Sequence, residues 1–242
     1  MKTMIGCSGF HYKHWKGKFY PEKLPQKKWL PYYAQSFDTV EINNTFYRMP
    51  EEKNIRSWME QTPAHFRFTI KANRYFTHQK KLHVDDDFRN QYEAFDTAVK
   101  ILGNRLGCVL WQLPGSLRRD DSRIHNLFRL FDKTTVNVME FRHESWFNDE
   151  IYNLLSEHNV SYCMLSAPGN LPEEVLATAP TAYVRFHGKD AWYRYNYSAD
   201  ELNSWYSRLM ELKKVSSLYI YFNNDYHAWA IENAMLLKSM FG

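Results

Sequence analysis

At 242 residues with 44% hydrophobic content, the chain can bury one large core or two small ones, which excludes a disordered protein. No apolar run approaches the length that spans a bilayer, and the amino terminus MKTMIGCSGFHYKHW lacks the continuous apolar region of a secretory signal, so a cytoplasmic chain without a membrane partner is expected. A net charge of +4 is too small to name a partner, and nothing in the composition points to a protein partner.

Taken in chain order, short β-branched or apolar runs alternate with longer stretches of helical periodicity. The strand-like runs are KTMIGC (2–7), TVEI (39–42), FRFTIK (66–71), GCVLW (107–111), VNVME (136–140), SYCML (161–165), AYVRF (182–186) and SLYIYF (217–222). Between them, Phe88, Tyr92, Phe95, Val99 and Leu102 make one helical stripe that Gly103 ends, and Ile124, Leu127, Phe128 and Phe131 make another. Asn148 opens the Ile151, Leu154, Leu155 helix, and Ser198 with Glu201 three residues on has the pattern of a capping box. PEEVLATA is expected to supply a short sixth helix. Eight strand-then-helix units fit a single (β/α)8 TIM barrel spanning 1–242, one domain, better than a doubly wound sheet, because no G-x-G-x-x-G follows the first strand. Cys7, Cys108 and Cys163 are odd in number and far apart, which suits reduced packing residues.

In such a barrel, side chains at the carboxyl ends of the strands line the mouth where ligands bind. Several strands end in polar groups two residues apart: Glu41 and Asn43, Lys71 and Asn73, Glu140 and Arg142, Arg185 and His187, with Asn223 after the last strand. Buried charge is costly unless paired or used. One reading is a capping layer in which the glutamates neutralise Lys71, Arg142 or Arg185. The other is a ligand site. The loops add an indication of their own, since residues 8–28 hold six lysines against Glu22 alone, with Phe10, Tyr12, Trp15, Phe19 and Tyr20 among them. Arg74, Lys80, Lys81, Arg118 and Arg119 extend the basic face, moderated by Asp85 to Asp87 and by Asp120 and Asp121. Lysines beside rings suit phosphates and stacked bases, with Trp15 the expected stacking platform, although such rings also pack long loops onto barrels.

The segments SGFHYKHWKGKFYPEKLP, VEINNTFYRMP, FRFTIKANRYFTH, VLWQLP, MEFRHESWF, YVRFHG and YIYFNND, in this order, resemble the YecE-like proteins, a family known as domain of unknown function 72. The resemblance runs from near Ile5 to the last helix and implies a TIM barrel distantly similar to a group that contains apurinic-site endonucleases; it implies no established activity. Phe10 and His11 stand where the family often has Trp, and HAWAIENA replaces a more glycine-containing start of the last helix.

Three chemistries fit these strand ends. Glu41, Glu140 and His187 as catalytic residues could hold a divalent metal that activates water against a phosphodiester, a reading favoured by the distant nuclease relatives. Without metal, a glutamate could act as general base while Lys71, Arg142, Arg185, Asn43, Asn223, Arg74 and Trp15 bind the ligand. The glutamates could also be the carboxylate pair of a carbohydrate hydrolase, which the surrounding cations disfavour. The expected ligand is a phosphate-bearing small molecule or a nucleic acid, either hydrolysed or bound without cleavage.

Overall fold

A computed structural model describes all residues from 1 to 242. The eight apolar runs form eight parallel strands: β1 (Lys2–Cys7), β2 (Thr39–Ile42), β3 (Arg67–Lys71), β4 (Leu106–Gln112), β5 (Asn137–Glu140), β6 (Ser161–Ser166), β7 (Thr181–Phe186) and β8 (Ser217–Phe222). Each lies within one residue of its sequence-predicted limits. They join in the order β1-β8-β7-β6-β5-β4-β3-β2, and the last gap, between β2 and β1, narrows to a single bridge from Ser8 to Glu41. The result is a nearly closed (β/α)8-type barrel.

The β1–β2 seam is sealed by a side chain. The Tyr33 hydroxyl accepts from the Cys7 amide at 2.7 Å and donates to the Thr39 carbonyl at 3.0 Å, taking the place of ladder bonds. Gly6 makes room for it, because a Cβ there would stand 2.3 Å from the Thr39 carbonyl oxygen and 2.7 Å from the Tyr33 hydroxyl.

Seven α-helices cover the barrel: α1 (Trp29–Tyr33), α2 (Glu52–Glu60), α3 (Asp86–Lys100), α4 (Asp121–Phe128), α5 (Asp149–Glu157), α6 (Ala199–Met210) and α7 (Trp229–Phe241). Side-chain caps fix several of their starts. Asn148 accepts from the Ile151 amide, and Ser198 and Glu201 form the full capping box. The α3 stripe Phe88, Tyr92, Phe95, Val99 is buried as the periodicity requires. PEEVLATA, however, forms no helix. Its side chains tie the irregular segment down instead: Thr178 Oγ1 accepts from the Tyr162 amide and donates to the Val160 carbonyl, and Glu173 pairs with Arg208 on α6.

The main core lies between sheet and helices, whereas a second cluster of nine buried residues, including Met4, Cys108, Leu110, Val138 and Cys163, fills the barrel's lower interior. That small filling leaves the upper layers to polar groups. Tyr221 reaches Thr39 and Thr69 through its hydroxyl, and above it stands the charged layer of the mouth. All three cysteines are free and buried. No helix is long and apolar enough to cross a membrane.

The first loop departs from expectation. Trp15 is fully buried, packed against Tyr12, Phe19 and Tyr20, and its Nε1 donates to Asp225 Oδ1 at 2.6 Å. It cannot act as a stacking platform for a base. Tyr20 is likewise buried, stacked on Trp29 at 5.0 Å. The six lysines remain exposed while Trp15 and Tyr20 turn inward and Phe10, Tyr12 and Phe19 stay partly exposed, since the area an indole buries outweighs what it gains in a solvated loop.

Candidate functional site at the barrel mouth

Alternation along the strands brings Ser8, Glu41, Lys71, Glu140 and Arg185 into one interior layer at their carboxyl ends, with Asn43, Arg142, His187 and Asn223 one step above. Arg185 stands at the centre. Its Nη1 donates to Glu140 Oε2 at 2.6 Å and its Nη2 to Glu41 Oε1 at 2.7 Å, so one guanidinium from β7 spans the interior to both β5 and β2. Glu41 also accepts from Ser8 Oγ at 2.6 Å and from the Tyr183 hydroxyl at 2.5 Å. The other oxygen of Glu140 accepts from Arg142, through Nε at 2.5 Å and through Nη2. Both glutamates and Arg185 are essentially inaccessible to solvent.

This alternating chain of charges explains why the groups are tolerated inside. Burial alone would raise the Glu140 pKa, but Arg142 and Arg185 outweigh it and hold the carboxyl well below its usual range. Burial would lower that of Arg185, and Glu140 and Glu41 hold it well above. His187 is fully buried, and burial, Arg142 and Arg185 together push its pKa well down, so the ring is neutral. Arg142 Nη2, which can only donate, lies 2.9 Å from His187 Nε2. Nε2 must therefore accept, and the proton sits on Nδ1. The Asn223 carboxamide 3.1 Å from Nδ1 then presents its oxygen to that proton.

Lys71 differs from its neighbours. Its Nζ makes no hydrogen bond or ion pair, and its contact is the face of Phe46, 4.3 Å from the ring centroid. Burial, followed by the charge of Arg185, lowers its pKa to about 8, against the opposing pull of Glu140 and Glu41. Counting two glutamates against Arg142, Arg185 and Lys71, with His187 neutral, the layer carries one excess positive charge, which falls on Lys71. Register continues the Glu41–Thr69 pairing so that Asn43 stands beside it. Asn43 Oδ1 is buried without a partner, and the residue borders a cleft of about 340 Å³ walled by Phe10, Tyr12 and Ile42.

Residues 4–242 match the family described as "Protein of unknown function DUF72". The chain belongs to the DUF72 family. It is 28% identical to the UPF0759 protein YunF of Bacillus subtilis (strain 168) over 88% of this chain and 86% of that protein. A DUF72 family protein of Thermotoga maritima has a crystal structure 30% identical to this chain, with a TM-score of 0.87 over 100% of this chain and 99% of that one. A DUF72 protein of Enterococcus faecalis, 19% identical, shares the fold with a TM-score of 0.86 over 98% of this chain and 94% of that one.

In this DUF72 chain the strand-end residues read from sequence do converge, yet their surroundings differ. Glu41, Glu140 and Arg185 have their hydrogen-bonding groups engaged with one another and with Arg142, Ser8 and Tyr183 beneath the mouth. The exception is Arg185 Nε, which is buried without a partner. His187 is enclosed as well. No three His, Cys, Asp or Glu side chains are placed to hold a metal ion, and the glutamate oxygens that would ligate one are taken by cations. Arg142 is partly open; its Nη1 takes part in none of these bonds, and Trp192 stacks on its guanidinium at 4.3 Å. Arg74 is exposed on the rim. Phe141 and Trp146 anchor the β5 loop, stacked at 5.0 Å and fully buried. The sequence reading gives no role to Phe46 or Trp192 and takes His78 for a hydrogen-bonded loop residue rather than a ligand. His78 sits on a π-helical turn (Tyr75–Gln79) with its ring 4.9 Å from that of Phe46, and burial and the charge of Lys71 lower its pKa. A π-turn leaves no periodicity to read, although such turns often mark functional sites.

Proposed function

We propose that the barrel mouth binds a small phosphate-bearing molecule through Lys71 and the free edge of Arg142. The observation that carries this reading is the unpartnered ammonium of Lys71 in a layer whose carboxylates are already neutralised. An uncompensated cation destabilises a folded chain, and a bound anion removes that cost. The adjoining cleft, walled by Phe10, Tyr12 and Ile42, has the volume to take the organic part of such a ligand. A small molecule is preferred to nucleic acid here because Trp15 and Tyr20, two rings of the basic first loop, are fully buried and cannot stack on bases. Phosphodiester hydrolysis finds little support, since Glu140 is held too acidic to serve as a base near neutral pH.

Thermal melts with inorganic phosphate test the reading. At 100 times the dissociation constant, stabilisation of about 2.7 kcal/mol is expected for the wild type. Lys71→Met and Arg142→Met should lose most of it. No rise for the wild type, or an equal rise for Lys71→Met, would count against the mouth as the anion site.

A further inference from the structure

Anion binding accounts for a cation at the mouth, but not for the surroundings of this one. An ammonium recruited only to hold phosphate is best kept fully charged, beside carboxylates and water. Lys71 instead lies against the ring of Phe46 with no hydrogen-bond partner, among groups whose carboxylates are consumed by two arginines. Those surroundings favour the neutral amine, whose lone pair is a nucleophile. The groups around it are Glu41 from β2, Glu140 and Arg142 from β5, Arg185 from β7, and His78 from the π-helical turn.

We propose that Lys71 is an imine-forming lysine that takes the carbonyl group of a phosphate-bearing aldehyde or ketone. The inference rests on the anion reading for the phosphate, which the free edge of Arg142 would hold, and adds the reacting group. The Lys71 nitrogen donates its lone pair to the carbonyl carbon, and the carbonyl π pair moves to oxygen, which takes up a proton. The nitrogen then loses a proton, the carbon–oxygen bond breaks with its pair leaving as water, and a carbon–nitrogen double bond remains. The balance is amine plus carbonyl giving imine plus water, with no oxidant or reductant. His78 suits the proton transfers: its Nδ1 is 2.8 Å from Thr77 Oγ1, no hydrogen bond engages its Nε2, and its lowered pKa keeps that ring neutral at pH 7. It lies against the same Phe46 ring as the amine.

The test traps the imine in the intact protein with glycolaldehyde and cyanoborohydride, followed by peptide mapping, with and without inorganic phosphate. A pKa of about 8 leaves about 300-fold more free amine at pH 7 than an exposed lysine has, partly offset by lower basicity. Lys71 should therefore be alkylated at least about 10-fold faster than any of the exposed lysines of residues 8–28, with a pH midpoint near 8. Phosphate should slow it, both by occupying the site and by returning the amine to its charged form. Labelling spread evenly over the surface lysines would overturn the imine proposal, even if phosphate raises the melting temperature and the anion reading stands. Selective labelling of Lys71 that phosphate neither slows nor accompanies with thermal protection would leave the imine-forming lysine and remove the phosphate.

Discussion

Replacing Glu140 by Gln separates a bracing carboxylate from a catalytic one. The substitution keeps volume and removes the charge that both Arg142 and Arg185 share, while presenting an amide donor to one of two donor-only guanidinium groups. Glu140 and Arg185 are both fully buried, so water cannot take the lost partner's place. Breaking a buried ion pair costs about 3–5 kcal/mol. For 242 residues, an unfolding entropy of about 2 cal/mol/K per residue gives a fall in Tm of about 6–10 °C. Differential scanning calorimetry measures it directly, and the pH dependence supplies a control. Because the folded-state pKa of Glu140 is depressed, its stabilisation is full above the unfolded-state value of about 4.3 and is lost as pH falls through the folded value. The gap between wild type and variant should thus begin to narrow at about pH 4 and go on narrowing as the pH falls further. A variant melting within about 2 °C of wild type at pH 7 would refute the bracing role and return Glu140 to the ligand.

Lys71→Met should act in the opposite sense, raising stability by about 1–2 kcal/mol at pH 7, since it removes an uncompensated charge at the cost of function. Calorimetry should also find wild-type stability growing as pH rises from about 8 toward 10.5, where the unfolded chain holds a proton on Lys71 that the folded chain has released, and Lys71→Met should lack that growth. Trp15→Ala should cost about 3–5 kcal/mol in chemical denaturation, because it empties a fully buried site and removes the donor to Asp225 Oδ1; a loss of phosphate protection without loss of stability would contradict this. Since His187 is held neutral, stability should fall by up to about 1.4 kcal/mol per pH unit below about 6.5, where only the unfolded state takes the proton, and His187→Gln should reduce that slope.

Strands were legible in the sequence because period-2 alternation and β-branched runs are local signals, and in a parallel barrel every strand carries them. The capping box at Ser198 was legible for the same reason. PEEVLATA was not: its residues are compatible with a helix, but bonds from Thr178 and Glu173 to partners distant in sequence win over local propensity. At the mouth, parity along each strand told which residues face inward, and hence that Glu41, Lys71, Glu140 and Arg185 would meet. It could not tell which cation would be left over. That depends on Arg185 reaching β2 and β5 at once, a distance fixed only by the curvature of the closed sheet. Trp15 and Trp192 show the same limit from the other side, since both lie in long loops and only tertiary packing buries the first and sets the second over Arg142.

The seam between β1 and β2 makes the ring unequal around its circumference. Seven junctions are ladders of backbone bonds, whereas the eighth hangs on one hydroxyl and one bridge, so it is the place where the barrel is expected to open first. In hydrogen–deuterium exchange, the Cys7 amide, protected only by Tyr33, should be released by openings of smaller free energy than the amides of β7 and β8, and Tyr33→Phe should speed its exchange selectively. Ser8 and Glu41 border that seam, so each opening would admit water from beneath to the buried and unpartnered Nε of Arg185. If the seam opens first, water reaches the charged layer through the wall of the barrel as well as through its mouth.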